Sequence, residues 1–466
     1  MDTVCLAKAA RAVGALAAAT ALAGCASVAR SPPANMPVSS TTPAGMGAPT
    51  DLIRPNSIIL AFSGGGLRAA AFAHGVLEGL AAVKSGDKDL LDDVALINAV
   101  SGSALTAAHF GVFGREGLAR FPERVLSPGF EDAMRTSLWS PANLARAIGG
   151  GVNGRENFSD VLDNRIFHGA TFGDMYRRGR PGIRIQATDL YHRVPFPFIP
   201  AIFEVLCSDL SRYSVADAVA ASMAVPVVFA PVVLRPYHDR CGPLPSFARD
   251  LRVQPESPRS VNAIARAISA YRDPKRERYV KLGDGGLTDN FAVSTLVLSR
   301  AIMETPYAPM TQRDAVTIRR LLVVVVDASR GPHGDWIGAE AGPGGFELAV
   351  SATDAAVDSA ARGAADALGS ILLDWQLAVI AYRCSLSPSE VARLGGPADW
   401  NCADVKFALA NLAIEDLESP WRERVEPIAT RLALEPREIE ATIEGARRAV
   451  LAHPRLQAYL RDRVGP

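Results

Sequence analysis

Ile59-Leu60-Ala61-Phe62-Ser63-Gly64-Gly65-Gly66-Leu67-Arg68 runs from an apolar strand straight into three glycines, and Ala69-Ala70-Ala71-Phe72-Ala73 continues as a helix of small residues. Such a layout leaves free backbone N–H groups at a helix N-terminus, where the helix dipole favours negative charge. Glycine suits the loop because a side chain would block the approach of a ligand. The chemistry on offer is the holding of an anion, either a bound phosphate or a charge formed transiently in a reaction. Phosphate fits poorly. Gly64 to Ala69 matches G-x-G-x-x-A, yet the acid that a dinucleotide site wants after the next strand is missing, since Asp87, Asp89, Asp92 and Asp93 all precede Val94-Ala95-Leu96-Ile97. No Gly-Lys-Ser/Thr is present, which excludes a P-loop. A tight structural turn is the remaining alternative.

A second segment supplies a nucleophile. Ala95-Leu96-Ile97-Asn98-Ala99-Val100 ends at Ser101-Gly102-Ser103, and Ala104-Leu105-Thr106-Ala107-Ala108 follows as a helix. A serine at a sharp strand-to-helix turn is lifted clear of the sheet, as in a G-x-S-x-G elbow. Here Ala99 and Ser103 occupy the two glycine places, so the elbow is degenerate though still built of small residues. Ser103 is the rival nucleophile, but its bulkier flanks favour Ser101. A third segment supplies a carboxylate: Tyr279-Val280-Lys281-Leu282-Gly283-Asp284-Gly285-Gly286 is a short strand ending in an acid between glycines. An Asp in that setting is often a turn former, and the same flexibility lets a catalytic carboxylate reach a serine on another strand.

Together the three segments resemble the patatin-like phospholipases, in particular their bacterial lipoprotein members. The family's glycine-rich oxyanion motif with its arginine falls on Gly64, Gly65, Gly66 and Arg68, its elbow serine on Ser101, and its Asp-Gly-Gly/Ala aspartate on Asp284. Ile185-Gln186-Ala187-Thr188-Asp189-Leu190 and the stretch from Ala216 through Ser222 to Pro226 also look like family segments, so the resemblance covers roughly residues 56–330. It implies a Ser–Asp dyad acting on lipid esters through an acyl-enzyme, of the phospholipase or lysophospholipase A or esterase type, with no cofactor. Asp284 is then general base and acid, and the glycine N–H groups form the oxyanion hole; Arg68 either supports that charge or braces the loop. The alternative is a catalytically weak or inactive envelope lipoprotein that binds lipid or a partner through the same pocket. A histidine triad has little to stand on. Only His333 and His453 follow Asp284, neither in a motif, and His74 and His109 read as packed or surface residues. Ser63 reads as a loop hydrogen-bonder, Asp189 as a turn residue, and Asp289 and Asn290 as organisers of the turn behind Asp284.

The first residues carry an address. Lys8 and Arg11 precede an apolar run ending in Leu22-Ala23-Gly24-Cys25, which reads as a signal peptide over 1–24 closing in a lipobox, with Cys25 the lipidated residue. That implies attachment to the bacterial envelope, with Ala26 after the cysteine resembling outer-membrane lipoproteins facing the periplasm. The Pro/Ser/Thr/Gly-rich stretch within 25–50 is expected to be a disordered tether, and no later stretch looks long and apolar enough to span a bilayer. Export permits disulfides. Of the three pairings open to Cys207, Cys241, Cys384 and Cys402, the neighbour pairing Cys207–Cys241 and Cys384–Cys402 encloses the shortest loops. Metal-ligand spacing is absent. The formal net charge is zero and no basic cluster is dense, which argues against nucleic acid as a partner and leaves a lipid ester and the membrane.

The elements that must position these residues alternate strand and helix from residue 51 to 330, the expected acyl hydrolase core. The 466 residues, 48% hydrophobic, suffice for an α/β fold of three layers, a mainly parallel sheet covered by helices on both faces. Residues 128–180 read as a helical insertion able to act as lid or substrate wall, and 192–202 and 231–260 as exposed loops whose Phe196, Phe198 and Ile199 either touch lipid or pack. Residues 331–466 read as a mainly helical part packed on the core, led by an Ala-rich amphipathic helix over 349–382 with Trp375 and Leu377 on its apolar positions.

Overall fold

The computed structural model describes residues 32–39, 51–134, 143, 150–303, 305–331, 333–340 and 342–463. The expected signal peptide and Cys25 lie outside the described residues, as do 135–142 and 144–149 of the expected insertion.

In chain order the elements that matter here are β1 (Asn56–Phe62), α1 (Gly66–Ala82), β2 (Val94–Val100), α2 (Gly102–Leu118), β3 (Gly182–Asp189), β4 (Val194–Pro197), α3 (Val215–Ser222), β5 (Val232–Leu234), β6 (Val280–Gly283), α4 (Gly286–Asp289), β7 (Arg320–Asp327), α5 (Gly345–Cys384), β8 (Lys406–Ala413) and α6 (Pro436–Ala452). One sheet runs β8-β7-β1-β2-β3-β6-β5, with β4 also paired to β3. The five strands β8, β7, β1, β2 and β3 are mutually parallel. The smaller strands β4, β5 and β6 join antiparallel.

Every residue of β1 and β2 is buried, as a parallel sheet covered on both faces requires. Alternate residues feed two cores, because successive side chains leave opposite faces of a strand. Ile58, Leu60, Phe62, Leu322, Val324 and Val326 pack with α1, α2 and α6 on one face. Ile59, Ala61, Leu321, Val323 and Val325 pack with Leu368, Leu372 and Trp375 of α5 on the other. The expected α/β architecture of helix, sheet and helix layers is present. Helix α6 lies along α1, and a Cβ on Gly75 would sit 2.3 Å from the Ile443 carbonyl oxygen, so the two backbones touch where no side chain separates them.

Several expectations need correction. The part beyond 331 is mainly helical, as expected, but it also gives the sheet a strand the reading did not foresee, β8, which pairs with β7 over its whole length. Its sequence, Lys406-Phe-Ala-Leu-Ala-Asn-Leu-Ala413, is alanine- and leucine-rich and favours helix by propensity; the open edge of β7 overrides that preference. Helix α5 is, over Val350–Cys384, long and apolar enough to cross a membrane by length and composition, contrary to the sequence reading. Here its stripe Ala361, Leu368, Leu372, Trp375 and Val379 is buried against the sheet, while Leu377 points outward at 55% exposure instead of inward. The segments 192–202 and 231–260 contain β4 and β5, and Phe196 and Phe198 are core residues. The tether is not free throughout. Ala34 donates to the Val233 carbonyl at 2.9 Å and Val38 to that of Cys207 at 3.1 Å. Buried Asn35 exchanges side-chain hydrogen bonds with Ser208 and Arg235. Residues 32–39 thus form a strap beside a disulfide, for Cys207 is joined to Cys241 and Cys384 to Cys402.

Candidate active site

Strand β2 delivers Ser101 at its C-terminal end with φ 54° and ψ −129°, a conformation that a non-glycine residue holds only under strain. A serine before a helix ordinarily caps it by accepting from the first turn. Ser101 makes no such cap. Its Oγ instead donates to Asp284 Oδ2 at 2.7 Å. The other oxygen of Asp284, Oδ1, accepts from the Gly286 N–H at 2.8 Å. Both groups are nearly enclosed, Ser101 at 8% and Asp284 at 7% exposure. Burial raises the Asp284 pKa to about 6, against the lowering effect of the Ser101 and Gly286 hydrogen bonds.

Strand direction explains the meeting. Val100 of β2 pairs with Gln186 of β3, while Gly283 of β6 pairs with Thr188 of β3 from the opposite direction. Leaving β6, the chain continues back toward Gln186, and Gly285 lies against the Gln186 carbonyl, where a Cβ would be 2.2 Å from its oxygen. The serine and the acid therefore arrive above the same residue of β3 from two sides.

The glycine loop lies beside them. A Cβ on Gly64 would be 3.2 Å from Ser101 Cβ and 2.5 Å from Asn290 Oδ1. The Gly64 N–H is not available to an oxyanion, because it donates to the Asn290 carbonyl at 3.1 Å; this corrects the expectation that all three glycines supply donors. The N–H groups of Gly65 and Gly66, and of Gly102 after Ser101, make no hydrogen bond among the described residues. Gly66 and Gly102 open α1 and α2, and they touch: a Cβ on Gly102 would lie 1.8 Å from the Gly66 carbonyl oxygen. Two helix N-termini thus meet beside Ser101, each favouring negative charge.

Of the two readings open for Arg68, the contacts favour the brace over a place in the oxyanion hole. Its guanidinium, fully buried, donates to the Ala328 carbonyl from Nε at 3.2 Å and from Nη2 at 2.8 Å, and from Nη1 to the Ile428 carbonyl. It braces the loop rather than forming its hole. Burial, aided by Arg330, lowers its pKa to about 10, so it stays charged at neutral pH. The same C-terminal stretch reaches the loop again at Arg431, whose carbonyl accepts from the Leu67 N–H at 3.0 Å. Nothing in the sequence pointed to residues 428–431 as neighbours of the glycines.

The degenerate elbow has a local explanation. Ser103 Oγ lies 2.9 Å from the Val100 carbonyl and 3.0 Å from that of Phe62, hydrogen bonds that occupy the hydroxyl inside the sheet and remove it as a nucleophile. Ala99 is buried within β2. Ser63 holds the Ala328 N–H at 2.8 Å, as a loop hydrogen-bonder would. Asp289 accepts from Gln186 Nε2 at 2.8 Å and from the Ser294 N–H at 2.6 Å, organising the turn behind Asp284. Its neighbour Asn290 goes further by holding Gly64. Asp189 closes its turn on the Tyr191 N–H and also binds His192 Nδ1 and Tyr271 Oη at 2.7 and 2.6 Å, a buried network that the sequence did not disclose. His74 and His109 pack on Phe121, and burial lowers His109 to about 4. His333 and His453 bond to the carbonyls of Gly331 and Asn411 and to neither member of the pair.

Comparison with known proteins identifies a family. A family model described as patatin-like phospholipase matches residues 60–297. Among solved structures, human GIVD cytosolic phospholipase A2 is similar at a TM-score of 0.40 and 13% identity, over 89% of this chain and 63% of that one. The chain thus spans less than two thirds of that enzyme's length. No curated protein matches.

Proposed function

The chain belongs to the patatin-like phospholipase family, and from that premise we propose that it is a serine acyl hydrolase of lipid esters, working through a Ser101–Asp284 dyad. The observation that carries this reading is the 2.7 Å hydrogen bond from Ser101 Oγ to Asp284 Oδ2 at a strained elbow. As Oγ attacks the ester carbonyl, its proton passes to the Asp284 carboxylate. The tetrahedral oxyanion is met by the N–H groups of Gly65, Gly66 and Gly102, donors of a kind worth about 10²–10³ in rate each. Asp284 then returns the proton to the departing alcohol, leaving an acyl-serine. Water attacks that ester and gives its proton to Asp284, which passes it to Ser101 Oγ as the Oγ–acyl bond breaks, so that the serine and the carboxylate are restored and a fatty acid is released. A carboxylate with a pKa of about 6 is a better base than an ordinary one and is still ionised at neutral pH.

The substrates proposed are phospholipids or lysophospholipids, taken from the membrane to which an acylated Cys25 would fasten the enzyme, at the periplasmic face of the outer membrane. Labelling with a fluorophosphonate tests the dyad: the protein and Ser103→Ala should label, Ser101→Ala should not, and Asp284→Asn should label far more slowly. Unlabelled folded protein would leave a lipid- or partner-binding lipoprotein as the better reading. Hydrolysis of diacyl and lysophospholipid vesicles, with palmitate incorporation lost in Cys25→Ala, tests substrate and anchor.

A further inference from the structure

Ser222, the last residue of α3, is completely buried and has no place in the acyl-transfer steps above, yet it touches all three segments that build the dyad. Its Oγ donates to the Gln186 carbonyl at 2.6 Å. The same Oγ accepts from the backbone N–H of Ser101 at 2.8 Å. Its own carbonyl accepts from the Gly285 N–H at 3.1 Å, and two residues on the Ala224 carbonyl accepts from the Asp284 N–H at 2.8 Å. One end of one helix therefore grips the nucleophile's backbone, the strand over which the dyad meets, and the backbone of the acid.

The grip on Ser101 has a specific task. A residue at φ 54° and ψ −129° relaxes unless its surroundings over-determine it. The first residue of a turn off a parallel strand has no ladder partner for its N–H, and here the partner is a side chain. The Ser222 hydroxyl is oriented by the Gln186 carbonyl, so its lone pair is presented to Ser101 before any substrate arrives. We propose that Ser222 is a positioning residue for acyl transfer, holding the Ser101 elbow in register with Asp284 through its hydroxyl. This rests on the hydrolase reading and names a residue that sets its geometry.

The experiment measures the fluorophosphonate labelling rate per folded molecule and the kcat and KM for a soluble p-nitrophenyl ester, in the protein, Ser222→Ala, Ser222→Thr and Ser222→Cys. Loss of the hydroxyl in Ser222→Ala should lower the labelling rate and kcat by about 10- to 100-fold with little change in KM, the scale expected when a reacting atom shifts by about an ångström. Ser222→Thr keeps the hydroxyl and should restore most of the rate. A purely structural serine would lower the melting temperature and leave the rate per folded molecule alone, and that outcome overturns the proposal. If Ser222→Ala does not fold, Ser222→Thr and Ser222→Cys decide it: a slow cysteine variant beside a fast threonine variant supports the role, and equal rates refute it. Absence of labelling in the unsubstituted protein would overturn the hydrolase reading, and this inference with it.

Discussion

Asp284 carries two opposed demands, and both are measurable. In the proposed role of general base it must be ionised, so kcat/KM for a soluble ester should rise with pH through about 6 and then level off. A pH profile with its acid limb near the ordinary carboxylate value, about 4, would remove burial as the tuning force. The same burial acts on stability. The folded-state pKa lies above the unfolded one, so the stability Asp284 contributes is fully present below about 4 and is lost as pH rises through about 6. Asp284→Asn should therefore abolish the proposed hydrolysis and also stabilise the protein at pH 8, by on the order of 1–3 kcal/mol. The gain should vanish near pH 4, as read by denaturant titration at both pH values. Ser101 and Asp284 were legible as candidates because each sits among small residues at the end of a strand. Arg68 was not, since a guanidinium beside glycines reads equally as anion ligand or brace, and only the Ala328 and Ile428 carbonyls decide between them.

At the scale of elements, the strand–glycine–helix and strand–serine–helix units are local patterns, and they formed where their sequences placed them. What makes them a site is the contact between their first helical residues, Gly66 and Gly102. Gly102→Ala would drive a Cβ to 1.8 Å from the Gly66 carbonyl, so the two helix N-termini must part. The expected result is a folded or partly folded protein whose labelling rate falls by at least about 10²-fold, because a proposed oxyanion donor and its neighbour move together. A Gly102→Ala variant that labels at the normal rate would exclude this contact as part of the site. Directions of strands were less legible than strands. That β6 runs against β3 follows from no feature of Val280–Gly283, and it is that direction which carries Asp284 back over Gln186.

Across the whole molecule, the region after residue 330 is part of the machinery. It supplies β8 to the sheet, α6 to the back of α1, and the carbonyls of Ile428 and Arg431 to the glycine loop. A chain ending at Arg330 should lose the cover of β7 and α1 and the acceptor of Leu67, and so yield aggregated, unlabelled protein on size-exclusion chromatography and probe labelling. A soluble, labelled monomer from that truncation would show that the remaining residues hold the loop unaided. The strap at 32–39 extends the same lesson to the other end of the chain, where a Pro/Ser-rich stretch finds partners at Val233, Cys207, Ser208 and Arg235.

Local patterns were readable from the sequence alone: a glycine loop opening a helix, an elbow serine, an acid between glycines, and a sheet buried on both faces, because each is encoded within a few residues or by a period of burial. Which donors stay free, what Arg68 and Ser222 hold, and where residues 406–413 and 428–431 go were decided by tertiary structure. Those features depend on backbone carbonyls and N–H groups of segments far apart in the chain, and backbone groups are the same in every sequence until folding chooses their partners.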